Sequence, residues 1–330
     1  MQPAAAGVLV TGATGFVGRH IVTTLLTQGY TVTALIRPER FGGPQQADPP
    51  QTDSRLPEGC IQIPVAITDV EGLVPIVAAC DAVIYAAGSV RGGRLQDFQA
   101  ANEQGLEAVV TAMDHAGAKP PILLISSLAA SCPELSDYSL SKFNGEQSLA
   151  ANPDFPWTIF RPPAIYGPGD KEMLPILNAA AKGWLFNPGP VDQRISLLHV
   201  EDLARAVIAW LNTPGACLHQ NYAFDDGTPG GYDWPAMAQA LGAEKYHMVR
   251  LPRALLAAAA GVNVFFSRWF SYAPMFTPGK VRELTRESWL CDDNARFEEA
   301  TGWRPAINLR MGWQRLKPAP NSTPKSTKGA

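Results

Sequence analysis

A glycine-rich segment at residues 11–18, TGATGFVG, constrains the fold more than any other feature of this chain. A short apolar run from Val8 to Val10 predicts a strand before it, and residues 16–28 predict a helix after it. In this order, the glycines form a loop whose backbone amides, at the helix start, can hold a pyrophosphate. The segment therefore predicts a parallel α/β unit that binds a dinucleotide.

Strands and helices continue to alternate through the first half of the chain. The predicted strands are residues 31–36, 81–86, 122–126 and 157–160, and the predicted helices cover residues 97–116 and 137–151. Such alternation implies a parallel sheet that is covered by helices on both faces. We therefore predict the α/β class, with a doubly wound parallel sheet of the Rossmann type.

The regular alternation ends near residue 165, where proline and glycine begin to recur and the elements become short. We assign residues 1–165 mainly to the dinucleotide-binding domain. Residues 166–316 are assigned mainly to a smaller, interleaved substrate-binding region, with some segments that return to the first domain. Residues 40–58 are predicted to form a long surface loop and residues 317–330 a disordered tail, because neither stretch shows an apolar period.

Composition excludes several kinds of partner and setting. The formal net charge of −3 leaves no broad basic surface, so no nucleic acid is expected. Five cysteines without a CxxC pair favour reduced thiols, a cytoplasmic setting and no metal site, and the residues before the first strand predict no export signal. The apolar segment Leu255 to Phe266 is far shorter than the roughly 20 residues of a membrane span, which favours a buried or lid helix beside a hydrophobic pocket.

The glycine-rich segment supplies most of the candidate cofactor contacts. Gly12 is expected to permit the tight turn, Gly15 the close approach of the pyrophosphate, and Gly18 close packing of the helix. The candidate contact residues from this loop are Gly12, Thr14, Gly15, Phe16 and Val17.

Arg37 occupies the position, about 20 residues beyond the glycines, that selects between the two nicotinamide dinucleotides. NAD sites usually carry an acidic residue there, whereas NADP sites carry an arginine. A guanidinium can donate paired hydrogen bonds to a 2′-phosphate, which a carboxylate would repel. Arg37 therefore favours NADP(H), with NAD retained as the alternative.

A second motif, YSLSK at residues 138–142, places a phenol and an ammonium on one helix face. The charge of Lys142 is expected to favour tyrosinate and to move the pKa of Tyr138 down from its ordinary value of about 10. A phenol so tuned can exchange a proton with a carbonyl or an alcohol. The motif follows a predicted buried strand that ends in Ser126 and Ser127, so a serine hydroxyl can lie beside the tyrosine.

These motifs together resemble the extended branch of the short-chain dehydrogenase/reductase family, which has a TGxxGxxG segment and a Ser, Tyr, Lys active site. The resemblance covers nearly the whole chain, because further features of that branch follow in order. They are Asn102, RPPAIYGP at residues 161–168, HVEDLA at residues 199–204 and GWRP at residues 302–305.

The resemblance implies a role for each residue of the active site. Tyr138 would be the acid/base, Lys142 would hold the nicotinamide ribose and tune Tyr138, and Ser127 would orient the carbonyl. The remaining residues that it assigns to the cofactor site are Ala86, Ala87, Pro162 and Ile165. His199 and Asp202 would organise a turn and cap a helix, without a catalytic role. The resemblance also implies that a homodimer is possible, although the sequence does not indicate an interface.

Two departures from the family pattern bear on the substrate. Sugar nucleotide enzymes of this kind commonly carry an asparagine where this chain has Ala164, and often an arginine where it has Ile195. Both groups would contact a diphosphate, so their loss removes charge-assisted hydrogen bonds that such a ligand needs. Arg194, one position away, leaves this interpretation open. At Ala66, where many relatives have an aspartate that holds the adenine amine, adenine recognition is also left open.

The substrate end of the chain is rich in apolar and aromatic residues that can line a pocket or form core. These residues are Trp184, Leu185, Phe186, Phe265, Phe266, Trp269 and Phe270. Arg91 and Arg94 follow the fourth strand, and the sequence leaves open whether they contact a substrate carboxylate or only solvent.

The leading hypothesis is an oxidoreductase that uses NADPH to reduce a ketone or aldehyde on a small, fairly hydrophobic molecule, or that runs the reverse alcohol oxidation. The alternative is a sugar nucleotide epimerase or dehydratase, which recycles its cofactor. A second alternative is a non-catalytic NADPH-binding regulatory protein. The intact set of Ser127, Tyr138 and Lys142 argues against this last hypothesis, because cofactor binding alone requires neither the serine nor the tyrosine.

Overall fold

The computed structural model of this chain describes residues 6–40, 56–270 and 272–317. The predicted surface loop at residues 40–58 and the predicted tail at residues 317–330 lie almost entirely outside the described residues. The strands are β1 (Gly7–Thr11), β2 (Thr31–Ile36), β3 (Ile61–Pro64), β4 (Ala82–Tyr85), β5 (Ile122–Ile125), β6 (Trp157–Phe160), β7 (Ala164–Tyr166), β8 (Trp184–Asn187), β9 (Arg194–Ile195), β10 (Leu197–His199), β11 (Gln220–Tyr222), β12 (His247–Arg250) and β13 (Ser288–Trp289).

Helices follow most of the strands. They are α1 (Phe16–Thr27), α2 (Val70–Ala78), α3 (Gln96–Gln99), α4 (Gly105–His115), α5 (Asp137–Ala150), α6 (Leu174–Ala181), α7 (Val200–Asn212), α8 (Trp234–Ala240), α9 (Arg253–Phe270), α10 (Pro278–Leu284), α11 (Asn294–Thr301) and α12 (Leu309–Leu316). A π-helical turn, Ala100–Gln104, joins α3 to α4.

A seven-stranded sheet with the order β11-β6-β5-β4-β1-β2-β3 confirms the predicted doubly wound Rossmann fold. Every neighbouring pair is parallel, and Val8 of β1 is in register with Val32 of β2 and with Ala82 of β4. The strand order reverses between β1 and β4. Such a reversal opens a crevice at the carboxyl ends of the strands, where ligands of doubly wound sheets bind.

Alternate residues of the central strand supply the cores on the two faces of the sheet. Val8 and Val10 of β1 belong to the core that includes α1 and α7, whereas Leu9 belongs to the core that includes α2 and α4. All three side chains are almost fully buried. This alternation follows from the two-residue period of a strand, and it explains why β1 reads as a continuous apolar run.

The carboxyl-terminal part of the chain adds a third core and three two-stranded parallel sheets. The sheets pair β7 with β10, β8 with β12 and β9 with β13. The third core includes Leu177 of α6, Met237 of α8 and Trp313 of α12. β11 comes from this half of the chain but pairs with β6 at the edge of the large sheet.

The segment Leu255 to Phe266, for which a buried or lid helix beside a hydrophobic pocket is predicted, lies in α9, and of these two alternatives the buried helix is wrong. Leu255 is 67% exposed and Phe265 is 56% exposed, while Val264 on the other side of the helix lines the main cavity. Within the described ranges, no helix combines the length and the apolar content that crossing a bilayer requires.

Candidate active site

A cavity of about 2310 Å³ lies at the carboxyl ends of β1, β4, β5 and β6 and extends toward α9 and α10. Most of the predicted site residues line it, although they come from distant parts of the sequence. The predicted residues in its wall are Gly12, Thr14, Gly15, Phe16, Val17, Ala86, Ser127, Tyr138, Lys142, Pro162 and Ile165. The fold therefore brings both sequence motifs to one space, which is larger than the roughly 300–1,000 Å³ of a typical ligand pocket.

The glycine loop forms a cradle that side chains would fill. Gly12 has a φ of +67°, and a Cβ added there would lie 2.5 Å from the carbonyl oxygen of Ala86. A Cβ added at Gly18 would lie 2.1 Å from the carbonyl oxygen of Gly12. Gly15 is the N-cap of α1 and supplies no side-chain cap, so backbone N–H groups of the first turn are available to an anion. This cradle fits the pyrophosphate of a dinucleotide.

Two of the predicted cofactor residues do not line the cavity. Arg37 follows β2 directly and is exposed at the surface. Ala87 acts through its backbone, since its N–H donates a 3.2 Å hydrogen bond to Thr11 Oγ1 and ties the ends of β4 and β1 together.

Two polar residues that the sequence analysis did not predict line the cavity. Glu39, two positions after Arg37, lines the cavity wall, as does Gln62 on β3. Ala66 is exposed and does not line it. The pairing of β3 with β2 brings Gln62 here, and no local pattern in the sequence indicates that pairing.

Tyr138 lies in the first turn of α5, and its ring packs edge-on against Phe98 with the centroids 6.0 Å apart. Burial raises the pKa of Tyr138 to about 12, and a hydrogen bond from the side chain of Ser127 acts in the opposite direction. The predicted fall in this pKa is therefore wrong for the protein without ligands, because desolvation of the phenolate, together with the negative charge of Glu283, outweighs the hydrogen bond from Ser127. The phenol stays protonated at neutral pH, as a proton donor must.

Lys142 lies one turn after Tyr138 and is only 7% exposed. Its Nζ donates a 3.1 Å hydrogen bond to the carbonyl oxygen of Ile125, at the end of β5. Burial lowers the pKa of Lys142 to about 8, while the carboxylate of Glu146 raises it. The cavity wall thus carries a cation whose pKa is only slightly above neutral pH.

A buried ion pair anchors the middle of α5 to the sheet. Glu146, 1% exposed, accepts hydrogen bonds from Arg161 Nε at 3.0 and 3.1 Å and from Arg161 Nη2 at 2.5 Å. Ser126 Oγ donates to the same carboxylate at 2.5 Å. A buried carboxylate is costly unless it is fully hydrogen-bonded, and these donors meet that requirement. They also fix the helix that carries Tyr138 and Lys142 relative to β5 and β6.

The start of α5 is fixed by residues from the far end of the chain. Ser136 is its N-cap and accepts a 2.9 Å hydrogen bond from the N–H of Ser139. The hydroxyl of Ser136 donates to Glu283 of α10, a buried carboxylate that also accepts a 2.8 Å hydrogen bond from Lys280. Sequence reasoning missed Glu283, which lines the cavity and stands 147 residues away from its partner.

The part of the cavity toward α9 and α10 is rich in apolar side chains, and it also includes the polar residues Gln193, Lys280, Arg282 and Glu283. Ala164 and Ile195, at the two departures from the family pattern, both lie in its wall. The other apolar side chains there are Met173, Ile176, Trp234, Met237, Val264, Met275, Phe276, Leu284 and Trp289.

The aromatic residues that were candidates for this pocket lie elsewhere. Phe265, Phe266, Trp269 and Phe270 are exposed on α9, and only Leu185 of the seven candidates is core. Trp184 and Phe186 are exposed on β8 and line a shallow groove beside α6. The prediction that these residues form either pocket or core is therefore wrong for six of the seven, because their elements turn the large side chains outward.

Three arginines considered at the substrate end do not line the cavity, and each pairs with a protein carboxylate. Arg91 pairs with Glu172 at 2.6 Å, and Arg94 pairs with Asp97 at 3.7 Å. Arg194 pairs with Asp233 at 3.5 Å, while its neighbour Ile195 is the residue in the cavity wall.

His199 and Asp202 have the structural roles expected of them. His199 is the N-cap of α7, and its Nδ1 accepts a 3.3 Å hydrogen bond from the N–H of Glu201. Asp202 is buried and accepts 2.9 Å hydrogen bonds from the N–H groups of Ala306 and Ile307.

Comparisons with known proteins agree with this architecture. Residues 8–222 match the sequence model of the NAD dependent epimerase/dehydratase family. The chain is 33% identical over 290 residues to a ceramide reductase of Caulobacter vibrioides, an alignment that covers 86% of this chain and 85% of that protein. It is 26% identical over 336 residues to a 4-hydroxy-2-methyl-3-oxo-4-farnesyl-3,4-dihydroquinoline-1-oxide ketoreductase of Stigmatella aurantiaca, with 94% and 95% covered.

The solved structures that resemble this chain include a UDP-glucose 4-epimerase of Thermus thermophilus in complex with NAD. It matches with a TM-score of 0.64 and 20% identity, covering 93% of this chain and 96% of that one. At this identity the likeness shows the fold alone.

Proposed function

Because this chain belongs to the NAD-dependent epimerase/dehydratase family and is an oxidoreductase, we propose that it uses NADPH to reduce a ketone or aldehyde carbonyl on a hydrophobic molecule. The observation that carries this proposal is the position of Ser127, Tyr138 and Lys142 in the wall of a cavity that is rich in apolar side chains toward α9 and α10.

Each residue of the candidate site has a separate role in the proposed reaction. The glycine loop and the first turn of α1 hold the pyrophosphate, and Lys142 holds the nicotinamide ribose. When bound, the nicotinamide supplies the hydride that reduces the carbonyl carbon. Ser127 donates a hydrogen bond to the carbonyl oxygen, and Tyr138, which is protonated at neutral pH, delivers the proton to that oxygen.

The charges around the cavity support an apolar substrate over a sugar nucleotide. A buried diphosphate needs cationic or amide donors, but Ala164 and Ile195 supply none from their side chains. Arg194, next to Ile195, is paired with Asp233. Lys171, Lys280 and Arg282 line the cavity, but Lys280 is paired with Glu283 and Arg282 donates a hydrogen bond to the carbonyl oxygen of Leu135. The names of the two relatives, a ceramide reductase and a ketoreductase of a farnesyl-bearing compound, agree with a substrate that has a long hydrocarbon part.

The preference for NADPH over NADH rests on Arg37. An exposed guanidinium directly after β2 can turn toward a 2′-phosphate at the adenine end of the cavity, where it would make paired, charge-assisted hydrogen bonds. Glu39 opposes this preference, since a carboxylate in the cavity wall repels a phosphate. We propose that Arg37 has the larger effect on the choice between NADPH and NADH, because it directly follows β2, at the position that contacts the adenine-side ribose in this fold.

The test combines turnover with binding. The purified chain is offered NADPH with long-chain aliphatic ketones and aldehydes, and NADPH consumption and alcohol formation are measured together. UDP-glucose is titrated by calorimetry into the complex with NADPH. Equal amounts of oxidised cofactor and alcohol product, without binding of UDP-glucose, are the expected result. Tight binding of UDP-glucose without net NADPH consumption would overturn the proposal in favour of an epimerase or dehydratase.

A further inference from the structure

The solvent-facing side of α9 is apolar, the reverse of the usual pattern for a surface helix. After Arg253, every residue of this helix whose side chain is described as exposed is apolar. The large ones are Leu255 (67% exposed), Val262 (54%), Phe265 (56%), Phe266 (47%), Trp269 (76%) and Phe270 (72%). At helical spacing Leu255, Val262, Phe266 and Trp269 fall along one line, so the patch is continuous.

The inward side of α9 carries its polar groups, which are bonded within the protein. Asn263 Nδ2 donates a 2.8 Å hydrogen bond to the carbonyl oxygen of Phe276, and Asn263 Oδ1 accepts one of 2.5 Å from Tyr272. Ser267, 7% exposed, donates to the carbonyl oxygen of Val264 at 2.8 Å. The bonds of Asn263 tie the helix to the segment that follows it, so the exposure of its aromatic side does not result from a helix that lacks contacts with the protein.

The segment around α9 is also strongly basic. Residues 245–282 contain six lysines and arginines and no aspartate or glutamate, although the whole chain carries a net charge of −3. Lys245, Arg250 and Arg253 are exposed. The cationic residues are Lys245, Arg250, Arg253, Arg268, Lys280 and Arg282.

We propose that the outer face of α9 docks on the surface of a lipid bilayer that contains anionic lipids. An apolar helix face rich in Trp and Phe, flanked by cations and lying on the protein, matches a helix that lies in the membrane interface. The aromatic residues enter the headgroup region, and the cations contact anionic headgroups. Charge decides against a second copy as the occupant, because two such faces would bring the exposed Lys245, Arg250 and Arg253 of one copy close to those of the other.

The side of α9 opposite the docked face lines the candidate active site. Val264 of α9, and Met275 and Phe276 just after it, line the cavity. The N–H of Gly92, also in the cavity wall, donates a 3.0 Å hydrogen bond to the carbonyl oxygen of Pro274. A lipid substrate would therefore pass from the bilayer to the cavity along α9. This last step rests on the proposed function, whereas the docking itself does not.

The experiment is vesicle flotation of the full chain, without cofactor or substrate, so that its outcome is independent of the proposed activity. Vesicles of phosphatidylcholine alone are compared with vesicles that also contain phosphatidylglycerol. The chain is expected to float with the anionic vesicles and to bind less at high salt. Replacing Phe265, Phe266 and Trp269 together by serine is expected to lower the partition coefficient at least about tenfold, because three buried aromatic contacts are lost.

A matched control replaces three hydrophobic residues of similar exposure elsewhere on the surface. These are Ile61, Leu218 and Met311, 50%, 40% and 42% exposed, each changed to serine. The control variant is expected to float like the unchanged chain. The proposal is overturned if the unchanged chain does not float with either vesicle, or if both triple variants float equally well. Light scattering that shows a dimer lost only in the α9 variant, together with no flotation, would assign the face to a second copy.

Discussion

Asn102 Nδ2 donates a 2.8 Å hydrogen bond to Ser141 Oγ, which joins the π-helical turn before α4 to the helix that bears Tyr138 and Lys142. The same amide donates to the carbonyl oxygen of Ser89 at 3.2 Å and accepts from its N–H at 3.1 Å. Asn102 is 2% exposed and therefore links three segments in the protein interior. Its backbone carbonyl also packs closely on Gly145, where an added Cβ would lie 2.2 Å from that oxygen.

Replacing Asn102 by alanine is expected to lower the free energy of unfolding by about 2–3 kcal/mol, because it removes the three hydrogen bonds that this buried side chain makes with Ser89 and Ser141. Urea denaturation measures the change. Asn178→Ala is the control, since Asn178 is exposed and donates only to Leu174 within its own helix. Equal stability of the two variants would contradict this role for Asn102.

Tyr138→Phe is expected to reduce kcat by about 10²–10⁴-fold, because it removes the proton donor while the ring keeps its contact with Phe98. The affinity for NADPH, measured by calorimetry, is expected to stay within about twofold, since the variant leaves the glycine loop and Lys142 unchanged. Tyr246→Phe, at a tyrosine that is 45% exposed, is the control and should turn over normally. Unchanged turnover in Tyr138→Phe would remove the tyrosine from the mechanism.

The rate of carbonyl reduction is expected to fall as the pH rises through about 8, because Lys142, whose pKa burial lowers to about 8, loses its charge there. The measurement is kcat/KM against pH, which reports groups of the free enzyme. Lys142→Arg, with a guanidinium that stays protonated, is expected to be slower but to lose the descending limb. An unchanged limb in that variant would assign the fall to another group.

The same group gives a prediction for stability. The pKa of Lys142 is about 8 in the folded protein and 10.5 in its ordinary state, so the unfolded chain binds more protons between these values. The free energy of unfolding therefore rises with pH across this window, by up to about 3 kcal/mol from this side chain. Unfolding of the unchanged chain and of Lys142→Met, measured from pH 7 to pH 10, isolates the contribution. If the free energies of unfolding of the two proteins differ by the same amount at every pH, burial does not destabilise the charged form of Lys142.

Arg37→Ala is expected to raise KM for NADPH at least about tenfold and to leave KM for NADH nearly unchanged, because only the 2′-phosphate loses a partner. Glu39→Gln is expected to act in the opposite direction and to lower KM for NADPH. Steady-state kinetics with both cofactors measure the two effects. If NADH is the better cofactor of the unchanged chain, the preference assigned to Arg37 is wrong and Glu39 sets the choice.

Five of the seven strands of the large sheet could be predicted because their signals are local, whereas no strand was predicted at β3 or β11, at the two edges of the sheet. A buried parallel strand appears as an uninterrupted apolar run, and the turn before α1 requires glycine at positions such as Gly12 for steric reasons. Glu39, Gln62 and Glu283 could not be found in this way, because strand pairing and helix packing bring them to the cavity. Their own neighbours in sequence carry no sign of that arrangement.

The sequence by itself determined the doubly wound fold, the cofactor loop and the pairing of Tyr138 with Lys142 on one helix face, since each depends on spacing within a short segment. Only the tertiary structure decided the direction of the Tyr138 pKa and the outward position of the aromatic residues on α9. Both depend on which surfaces are removed from water. That is a property of the packed chain, because burial is set by residues far apart in sequence.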